Sequence, residues 1–197
     1  MEQIILASNN AHKIEEIKQI LTNFKVVSLN DIGFYDDIVE DGLTFNDNAL
    51  IKARAVYKYL KKSKKSAWVL SDDSGLCVKA LNNEPGVYSA RYAGNHNDQA
   101  NRDKLLKELK GKPNRDAFFM CAMVLISPTG EEHIFNGKVE GKILEAETGN
   151  GGFGYDCLFF NYDLNKCFGL CTPAEKNSVS HRSRALAQVK EFLKNVK

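Results

Sequence analysis

Alternating apolar and polar positions predict that strands and helices follow one another in the first part of the chain. Residues 3–7 form a short apolar run typical of a strand, and residues 24–29 form another. Between them, apolar side chains recur at helical spacing at Ile14, Ile17, Ile20 and Leu21. A second helix is predicted from Thr44, because Thr44 and Asp47 have the spacing of a capping box, and it ends in the lysine-rich stretch 61–66.

The middle of the chain continues this alternation. Residues 67–70 predict a buried strand, the SDDSG segment at 71–75 predicts a turn, and residues 77–81 continue extended. A third helix is predicted over residues 98–109, where leucines recur on one face.

The second half of the chain changes to strands that pair with one another. The elements predicted there are a hairpin of strands 117–127 and 132–143, a glycine-rich loop at 149–154, a strand at 157–160 and a closing helix from about Ser180. Early alternation followed by late pairing indicates an α/β fold in which a mixed central β-sheet is flanked by helices.

Length and charge narrow the class of protein. The chain has 197 residues, of which 43% are hydrophobic and 26% charged, as in a soluble globular protein. We expect a single domain over residues 1–197, within which two lobes can form. Lys plus Arg exceed Asp plus Glu by only 27 to 25, so no strongly basic surface for nucleic acid is expected and any anion site must be local.

Cysteines and apolar segments bear on the location of the protein. The five cysteines lack CxxC spacing and mostly lie in apolar runs, which indicates reduced thiols in the core: Cys77, Cys121, Cys157, Cys167 and Cys171. No leader of basic then apolar residues is seen, and no apolar run approaches the roughly 20 residues of a membrane span. We therefore expect a cytoplasmic protein that makes no membrane contact.

The segment SNNAHK at 8–13 is a candidate phosphate site. A strand that leads directly into a helix points several backbone N–H groups outward at the positive end of the helix dipole, which suits phosphate. Asn9 and Asn10 tolerate a left-handed backbone, and Lys13 adds a full positive charge. The alternative is that Ser8 or Asn10 only caps the helix.

The segment SDDSG is a candidate acidic site, because it places Asp72 and Asp73 at the end of a predicted strand. Carboxylates there can bind Mg²⁺ or accept a proton from water. Since side chains alternate along an extended backbone, one Asp should face a cleft and the other should support the turn. Glu40 and Lys52 can complete a site for a magnesium-bound phosphate chain. The alternatives are turn chemistry alone for DDSG and ordinary surface charge for Glu40 and Lys52.

The segment GNGGFGYD at 149–156 has the glycine spacing of a dinucleotide-binding loop but not its context, since a strand is predicted to follow it. Its glycines instead permit a turn that presents Phe153 or Tyr155 to a flat ring and Asp156 to the edge of that ring. The alternative is that the two aromatic side chains fill the core beside a loop.

Donors also gather before the last helix, where Lys176, His181 and Arg182 can bind an anion or a carbonyl oxygen. The alternative is a solvated helix start that Ser178 or Ser180 caps.

Taken together, five segments resemble the inosine triphosphate pyrophosphatase family, which hydrolyses noncanonical purine nucleoside triphosphates. The segments are ILASNNAHKIEEI, VEDGLTFNDNALIKA, SDDSGLCVKALNNEPGVYSARYAG, GGFGYDCLFF and AEKNSVSHRSRAL, in the family's order from residue 4 to about 187. The resemblance implies an elongated, two-lobed α/β fold with its active site in the cleft between the lobes. It also implies a homodimer, Mg²⁺ as cofactor, and hydrolysis of ITP, dITP and XTP to the monophosphate and pyrophosphate.

Residue roles carried over from the resemblance form three groups. Asp73 is implied as the catalytic base and a metal ligand, Glu40 as the second metal carboxylate, and Ser74 as a substrate contact, with Asp72 as a supporting neighbour. The residues implied to hold the triphosphate are Ser8, Asn9, Asn10, Ala11, His12, Lys13 and Lys52. The residues implied to enclose the base are Phe153, Gly154, Tyr155, Asp156, Lys176, His181 and Arg182.

Three positions depart from the family pattern. The family's Thr-Gly-Asn is replaced by residues 8–10, Ser-Asn-Asn, and we expect the loop shape to survive because Asn replaces Gly as a residue that tolerates left-handed backbone. Asp47 replaces the usual Glu and reaches about 1.5 Å less far, which weakens any metal-supporting role carried over from that position. Cys157 replaces the usual Pro and loosens the predicted start of a strand.

Two rival functions stay open at the level of sequence. One is a related pyrophosphatase that acts on pyrimidine or methylated nucleotides, with similar acids but a different base pocket. The other is a nucleotide- or RNA-binding module, against which the near-neutral net charge argues.

Overall fold

The computed structural model describes residues 2–94 and 96–196, and these form a mixed seven-stranded sheet with helices. The strands are β1 Gln3–Leu6, β2 Lys25–Val27, β3 Trp68–Val78, β4 Asp116–Ile126, β5 Glu132–Ile143, β6 Phe159–Asn161 and β7 Lys166–Cys167. The helices are α1 Ala11–Ile20, α2 Leu29–Ile32, α3 Phe45–Lys62, α4 Asp98–Glu108, α5 Pro173–Val179 and α6 His181–Asn195. The predicted α/β fold class is therefore confirmed.

Strand pairing makes the sheet mixed. Its order is β2-β1-β3-β4-β5-β6-β7, so the strands of the first part of the chain lie at one end. Strand β1 pairs in parallel with both β2 and β3, whereas β6 pairs antiparallel with β5 and β7. The parallel pairs are joined through helices and the antiparallel strands follow one another closely, as the change of pattern along the sequence predicts.

The described residues divide into two compact units. Unit 1 comprises residues 2–73, 121–137 and 182–196, and unit 2 comprises residues 74–94, 96–120 and 138–181. Strands β3, β4 and β5 contribute residues to both units, while β1 and β2 belong to unit 1 and β6 and β7 to unit 2.

Unit 1 has apolar contacts on both faces of β1, because successive side chains of a strand point to opposite sides. Ile4 and Leu6 pack in a cluster that includes Ile17 of α1 and Val189 of α6. Ile5 packs in a second cluster, which contains Ala49, Ala53, Val56 and Leu60 of α3. Unit 1 is thus a layer of sheet between α1 and α6 on one face and α3 on the other.

Unit 2 has a separate core rich in aromatic side chains. Leu105 and Leu109 pack there with the rings of Phe119, Phe159 and Phe168. The ring centroids of Phe119 and Phe159 are 4.7 Å apart, within the range of favourable aromatic contacts.

The start of α3 confirms the helix predicted from Thr44. Thr44 Oγ1 accepts a hydrogen bond from Asp47 N at 3.1 Å, and Asp47 Oδ2 accepts one from Thr44 N at 3.1 Å. Both halves of a capping box are present, so two N–H groups at the helix start are satisfied. The Asp47 carboxylate serves this cap.

The predicted turn at SDDSG is wrong, because β3 continues through this segment from Trp68 to Val78. Ser71, Asp72 and Asp73 are all buried, so the two aspartates lie within a strand rather than at its end. The turn propensity of Asp, Ser and Gly is overridden by sheet pairing and by ion pairs that neutralise the buried carboxylates.

Smaller differences occur near the ends of the chain. The strand predicted at 157–160 is confirmed at residues 159 and 160, which begin β6, whereas residues 157 and 158 lie in a short 3₁₀ turn, Asp156–Leu158. Helix α5 was not predicted, although Thr172 and Glu175 form a complete capping box at its start. Asn9 and Asn10 do not use the left-handed backbone, since neither is among the described residues with positive φ and Asn10 is extended.

Two expectations from composition can be compared with the structure. All five cysteines are buried free thiols, which confirms the prediction of reduced core cysteines. Among residues 2–94 and 96–196, no helix has the length and apolar character needed to cross a membrane.

Candidate active site

The loop between β1 and α1 forms the first part of the candidate site in unit 1. Asn10 caps α1, because its Oδ1 accepts a hydrogen bond from Lys13 N at 3.1 Å, and Ser8 Oγ accepts one from Asn10 N at 3.2 Å. Ser8 is half-buried, while Asn9, Asn10, Ala11 and His12 are exposed. The capping alternative is therefore realised for Asn10, and the positive end of the α1 dipole faces outward beside exposed backbone.

Asp72 is the buried counter-charge of this loop. Lys13 Nζ lies 2.5 Å from Asp72 Oδ1, and Arg182 Nε donates a hydrogen bond to Asp72 Oδ2 at 3.0 Å. The Cys121 thiol also donates to Oδ2, at 3.1 Å. Burial alone would raise the pKa of Asp72, but the Arg182 and Lys13 charges outweigh it and hold that pKa well below its usual range.

Arg182 is held on its other side by Glu16, to which its Nη1 donates a hydrogen bond. Its side chain is 1% exposed, so the guanidinium is a buried part of unit 1. Sequence reasoning missed both Glu16 and Cys121. Glu16 had a local signal, because it lies three residues after Lys13 and therefore on the same face of α1. Cys121 had none, since its contact with Asp72 spans 49 residues.

Asp73, Lys52 and Glu40 form the second part of the site, on the opposite face of β3. Lys52 Nζ donates a hydrogen bond to Glu40 Oε2 and lies 3.4 Å from Asp73 Oδ1. Burial raises the pKa of Asp73, and the attraction of Lys52 and Lys13 does not cancel that effect. The pKa of Lys52 is also raised, because the Asp73 and Glu40 charges outweigh the cost of burying its ammonium.

These carboxylates have the properties of ligands for a divalent cation. Asp73 Oδ2 is buried and has no hydrogen-bond partner within the part of the chain that the structure describes. Glu40 contacts the same ammonium as Asp73, so two carboxylates from distant segments meet at one point. The described residues contain no group of three or more His, Cys, Asp or Glu side chains arranged for a metal. A cation here would need further oxygen ligands from substrate and water, as Mg²⁺ often has.

In unit 2, the glycine-rich loop is built around Asp156. Asp156 Oδ2 accepts hydrogen bonds from Phe153 N at 2.8 Å and from Lys176 Nζ at 2.6 Å. Gly152 and Gly154, on either side of Phe153, have φ values of +70° and +62°, which favour glycine. The Phe153 ring is half-buried, and the Lys176 ammonium lies 4.7 Å from its centroid.

The other predicted residues of unit 2 are more deeply placed. Tyr155 is buried in the core and its hydroxyl donates to Ser89 O at 2.9 Å, so the core-filling alternative is realised for this ring. His181 is buried, and its ring stacks on Phe119 with centroids 4.9 Å apart. Ser74 is half-buried and follows Asp73 on β3.

The predicted site residues therefore form two groups. Unit 1 brings together Lys13, Glu40, Lys52 and Asp73, with Arg182 behind Asp72. Unit 2 brings together Phe153, Gly154, Tyr155, Asp156 and Lys176, while His181 lies against Phe119.

A mixed α/β sheet with carboxylates and lysines gathered beside the start of a helix is the arrangement of enzymes that act on phosphate groups. The chain belongs to the Ham1 family, whose model matches residues 4–192.

Named relatives have similar sequences over almost the entire chain. The chain is 50% identical over 202 residues to the dITP/XTP pyrophosphatase of Clostridium perfringens, covering 100% of this chain and 99% of the relative. It is 44% identical over 198 residues to the dITP/XTP pyrophosphatase of Bacillus subtilis, covering 98% of each. Among solved structures, the Ham1 protein of Staphylococcus aureus matches with a TM-score of 0.88 and 38% identity, covering 100% of both chains.

Proposed function

We propose that this chain is a nucleoside triphosphate pyrophosphatase that hydrolyses ITP, dITP and XTP to the monophosphate and pyrophosphate, and so removes noncanonical purines from the nucleotide pool. The observation that carries the proposal is the meeting of Glu40 and Asp73 at Lys52 in unit 1, with Lys13 bound to the adjacent Asp72. Relatives that match nearly the full chain are named dITP/XTP pyrophosphatases, which supports the same activity.

In the proposed reaction, water attacks the α-phosphorus and Asp73 accepts its proton. The bond from the α-phosphorus to the bridging oxygen breaks, and pyrophosphate leaves with the electron pair. The pKa of Asp73 is raised by burial, which suits this role because a carboxylate of higher pKa is a stronger base toward the proton of water. Lys13 and Lys52 neutralise the charge that develops on the departing pyrophosphate.

The proposed cofactor is Mg²⁺, held by Glu40 and Asp73. The donor set fits the ion, because both residues offer carboxylate oxygens and Asp73 Oδ2 has no hydrogen-bond partner among the residues described. When bound, the ion would supply Lewis-acid chemistry by neutralising phosphate oxygens. Lys52, which contacts both carboxylates, would keep them close together.

Substrate contacts are proposed for each group of site residues separately. The triphosphate would lie against the backbone and side chains that begin α1, Ser8, Asn9, Asn10, Ala11, His12 and Lys13, with Lys52 and Ser74 beside it. The purine would be enclosed by Phe153, Gly154, Tyr155, Asp156, Lys176, His181 and Arg182. Because Tyr155 is buried and Phe153 is half-buried, Phe153 is the better candidate to stack on the base.

Selectivity for these purines is proposed to depend on the 6-position. Hypoxanthine and xanthine carry a carbonyl oxygen there, whereas adenine carries an amino group. Donors such as His181, Arg182 or backbone N–H groups would face another donor if ATP entered, at a cost of about 1–3 kcal/mol each.

We further propose that the enzyme is a cytoplasmic homodimer. Five free cysteines support a reducing compartment. The homodimer is proposed from the family resemblance, and light scattering during size-exclusion chromatography would measure the mass against that of a 22.0 kDa chain.

The function is tested by measuring pyrophosphate released from ITP, dITP, XTP, GTP, ATP and dUTP with Mg²⁺. The expected result is a much higher kcat/KM for ITP, dITP and XTP than for ATP. A preference for dUTP would support a pyrimidine pyrophosphatase instead. No pyrophosphate from any nucleotide would overturn the proposal.

A further inference from the structure

The start of α4 holds the glycine-rich loop of unit 2 at a single peptide. Gly154 N donates a hydrogen bond to Asp98 Oδ2 at 3.1 Å, and Arg102 Nη1 donates one to Gly154 O at 2.9 Å. Both backbone polar groups of Gly154 are thus bound by side chains one helical turn apart on α4. None of the sequence motifs considered above includes Asp98 or Arg102.

Arg102 is itself held in place by a network of its own. Its Nε donates to Glu147 Oε1 at 2.8 Å and its Nη2 donates to Gln99 Oε1 at 2.7 Å. Gln99 Nε2 also donates to Glu147 Oε1, at 2.9 Å, so the three side chains bond to one another. The Arg102 side chain is 15% exposed, which distinguishes it from a mobile surface arginine. The guanidinium is planar, so its bonds to Glu147 and Gln99 fix the direction in which Nη1 donates to Gly154 O.

The held peptide directly follows Phe153. The loop is fixed before this point by the bond from Phe153 N to Asp156, and after it by the bond from the Tyr155 hydroxyl to Ser89 O. Between these points, Gly154 has a positive φ and no atom within 4 Å of a Cβ built on it, so packing does not fix its backbone. The two α4 side chains therefore supply the constraint that glycine itself does not.

We infer that Asp98 and Arg102 are positioning residues for recognition of the purine base. They fix the Gly154 peptide, and through it the direction of the half-buried Phe153 ring. This inference rests on the proposed function, because the purine is the group that Phe153 is proposed to stack upon. The hydrogen bonds described for Asp98 and Arg102 are all made within unit 2.

The test compares Arg102→Ala and Asp98→Ala with a conservative and a matched control variant. Asp98→Asn keeps an oxygen that can accept from Gly154 N. Arg54→Ala removes an arginine that is hydrogen-bonded to a glutamate elsewhere, Glu132 in unit 1. For each variant, kcat and KM are measured with ITP and with ATP, and the inhibition constant is measured for inorganic tripolyphosphate, which has no base.

In both alanine variants we expect KM for ITP to rise about tenfold, as loss of a charge-assisted hydrogen bond that orders a binding loop predicts. The ratio of kcat/KM for ITP to that for ATP should fall, while the inhibition constant of tripolyphosphate stays within about twofold, within the scatter of independent sites. Arg54→Ala should behave as wild type, and Asp98→Asn, which keeps an acceptor for Gly154 N but not the charge, should lie between wild type and Asp98→Ala. Amide exchange at Gly154 should be faster in Asp98→Ala.

Several results would overturn the inference. One is an unchanged KM for ITP in both alanine variants, provided that the wild-type enzyme hydrolyses ITP. Another is an equal rise in KM for ITP and in the inhibition constant of tripolyphosphate, which would indicate a general loss of structure. If the alanine variants do not fold, Arg102→Lys decides, because Arg102 reaches Glu147, Gly154 and Gln99 from three separate nitrogens, whereas lysine has a single nitrogen and lacks this fork. An unchanged KM in Arg102→Lys would again contradict the inference. An inactive wild type would instead overturn the proposed function.

Discussion

Asp72 and Asp73 are neighbours on β3, but their carboxylates point to opposite faces and their pKa values shift in opposite directions. Asp72 faces Arg182 and Lys13, whose charges lower its pKa despite complete burial. For Asp73, burial raises the pKa more than Lys52 lowers it. The alternation of a strand thus separates a fixed counter-charge for a lysine from a carboxylate that is able to accept a proton.

We predict that Asp73→Asn lowers turnover strongly without loss of the fold. Asparagine has nearly the same shape but cannot accept the proton of an attacking water, and loss of a general base typically costs about 10²–10⁴ in rate. Pyrophosphate release from ITP measures the effect, with circular dichroism to show that the variant folds. Asp163→Asn, an exposed aspartate of unit 2, is the control and should keep full turnover. Turnover of Asp73→Asn near that of wild type would refute the assignment of Asp73 as the base.

The same two aspartates should have opposite effects on stability. The pKa of Asp72 is lowered on folding, so its stabilising contribution is present above the unfolded value and is lost as pH falls through the folded value. The pKa of Asp73 is raised, so the fold disfavours its ionised form, and this cost fades as pH falls through the folded value toward the lower unfolded value. Ionised Asp72 therefore increases the free energy of unfolding, whereas ionised Asp73 decreases it.

At pH 7 we therefore predict that Asp72→Asn lowers Tm and Asp73→Asn raises it. For Asp72 the loss should be about 3 kcal/mol, because Arg182 and Lys13 lose a buried partner charge. Thermal unfolding in EDTA measures both, since a bound cation would stabilise Asp73. The gain of Asp73→Asn should shrink as pH falls from the folded pKa of Asp73 toward its unfolded value. Equal changes in Tm for the two variants would contradict the prediction that the two carboxylates have opposite effects on stability.

The sequence was a good guide to elements with local signals and a poor guide to contacts that join distant segments. The α3 start was predicted because Thr44 and Asp47 lie three residues apart and satisfy each other's backbone. The strand through SDDSG was missed because what stabilises it is not local: Asp72 and Arg182 are 110 residues apart. The turn-forming residue types of SDDSG do not indicate that Arg182 of α6 pairs with Asp72.

The candidate site follows the same rule. Residue types and the family resemblance pointed to Glu40, Lys52 and Asp73, which the structure brings to one point. They did not point to Asp98 or Arg102, whose contacts with Gly154 span 56 and 52 residues. Such contacts depend on which helix packs beside the loop, and this packing cannot be predicted from the spacing of residues along the chain.

We predict that Glu40→Gln raises the concentration of Mg²⁺ required for half-maximal activity. The neutral amide is a weaker ligand for a hard cation than a carboxylate, and loss of one such ligand should raise that concentration about tenfold or more. Metal titration of ITP hydrolysis measures the shift, and EDTA should abolish activity in wild type. Glu131→Gln, at an exposed position, is the control. A metal dependence equal to that of wild type would remove Glu40 from the proposed metal site.

The glycines on either side of Phe153 should tolerate alanine very differently, although both have positive φ. A Cβ at Gly154 meets nothing within 4 Å, so Gly154→Ala should cost only the left-handed backbone penalty of about 1–2 kcal/mol. A Cβ at Gly152 would lie 2.1 Å from Asp156 Oδ2, the oxygen that binds Phe153 N and Lys176. Gly152→Ala must therefore displace a buried carboxylate from its ion pair, and we expect at least about 2 kcal/mol of further destabilisation together with a higher KM for ITP. Thermal unfolding of the two variants side by side measures the difference. Equal losses of stability would show that Asp156 can move away at no cost, and that its bonds do not hold the loop.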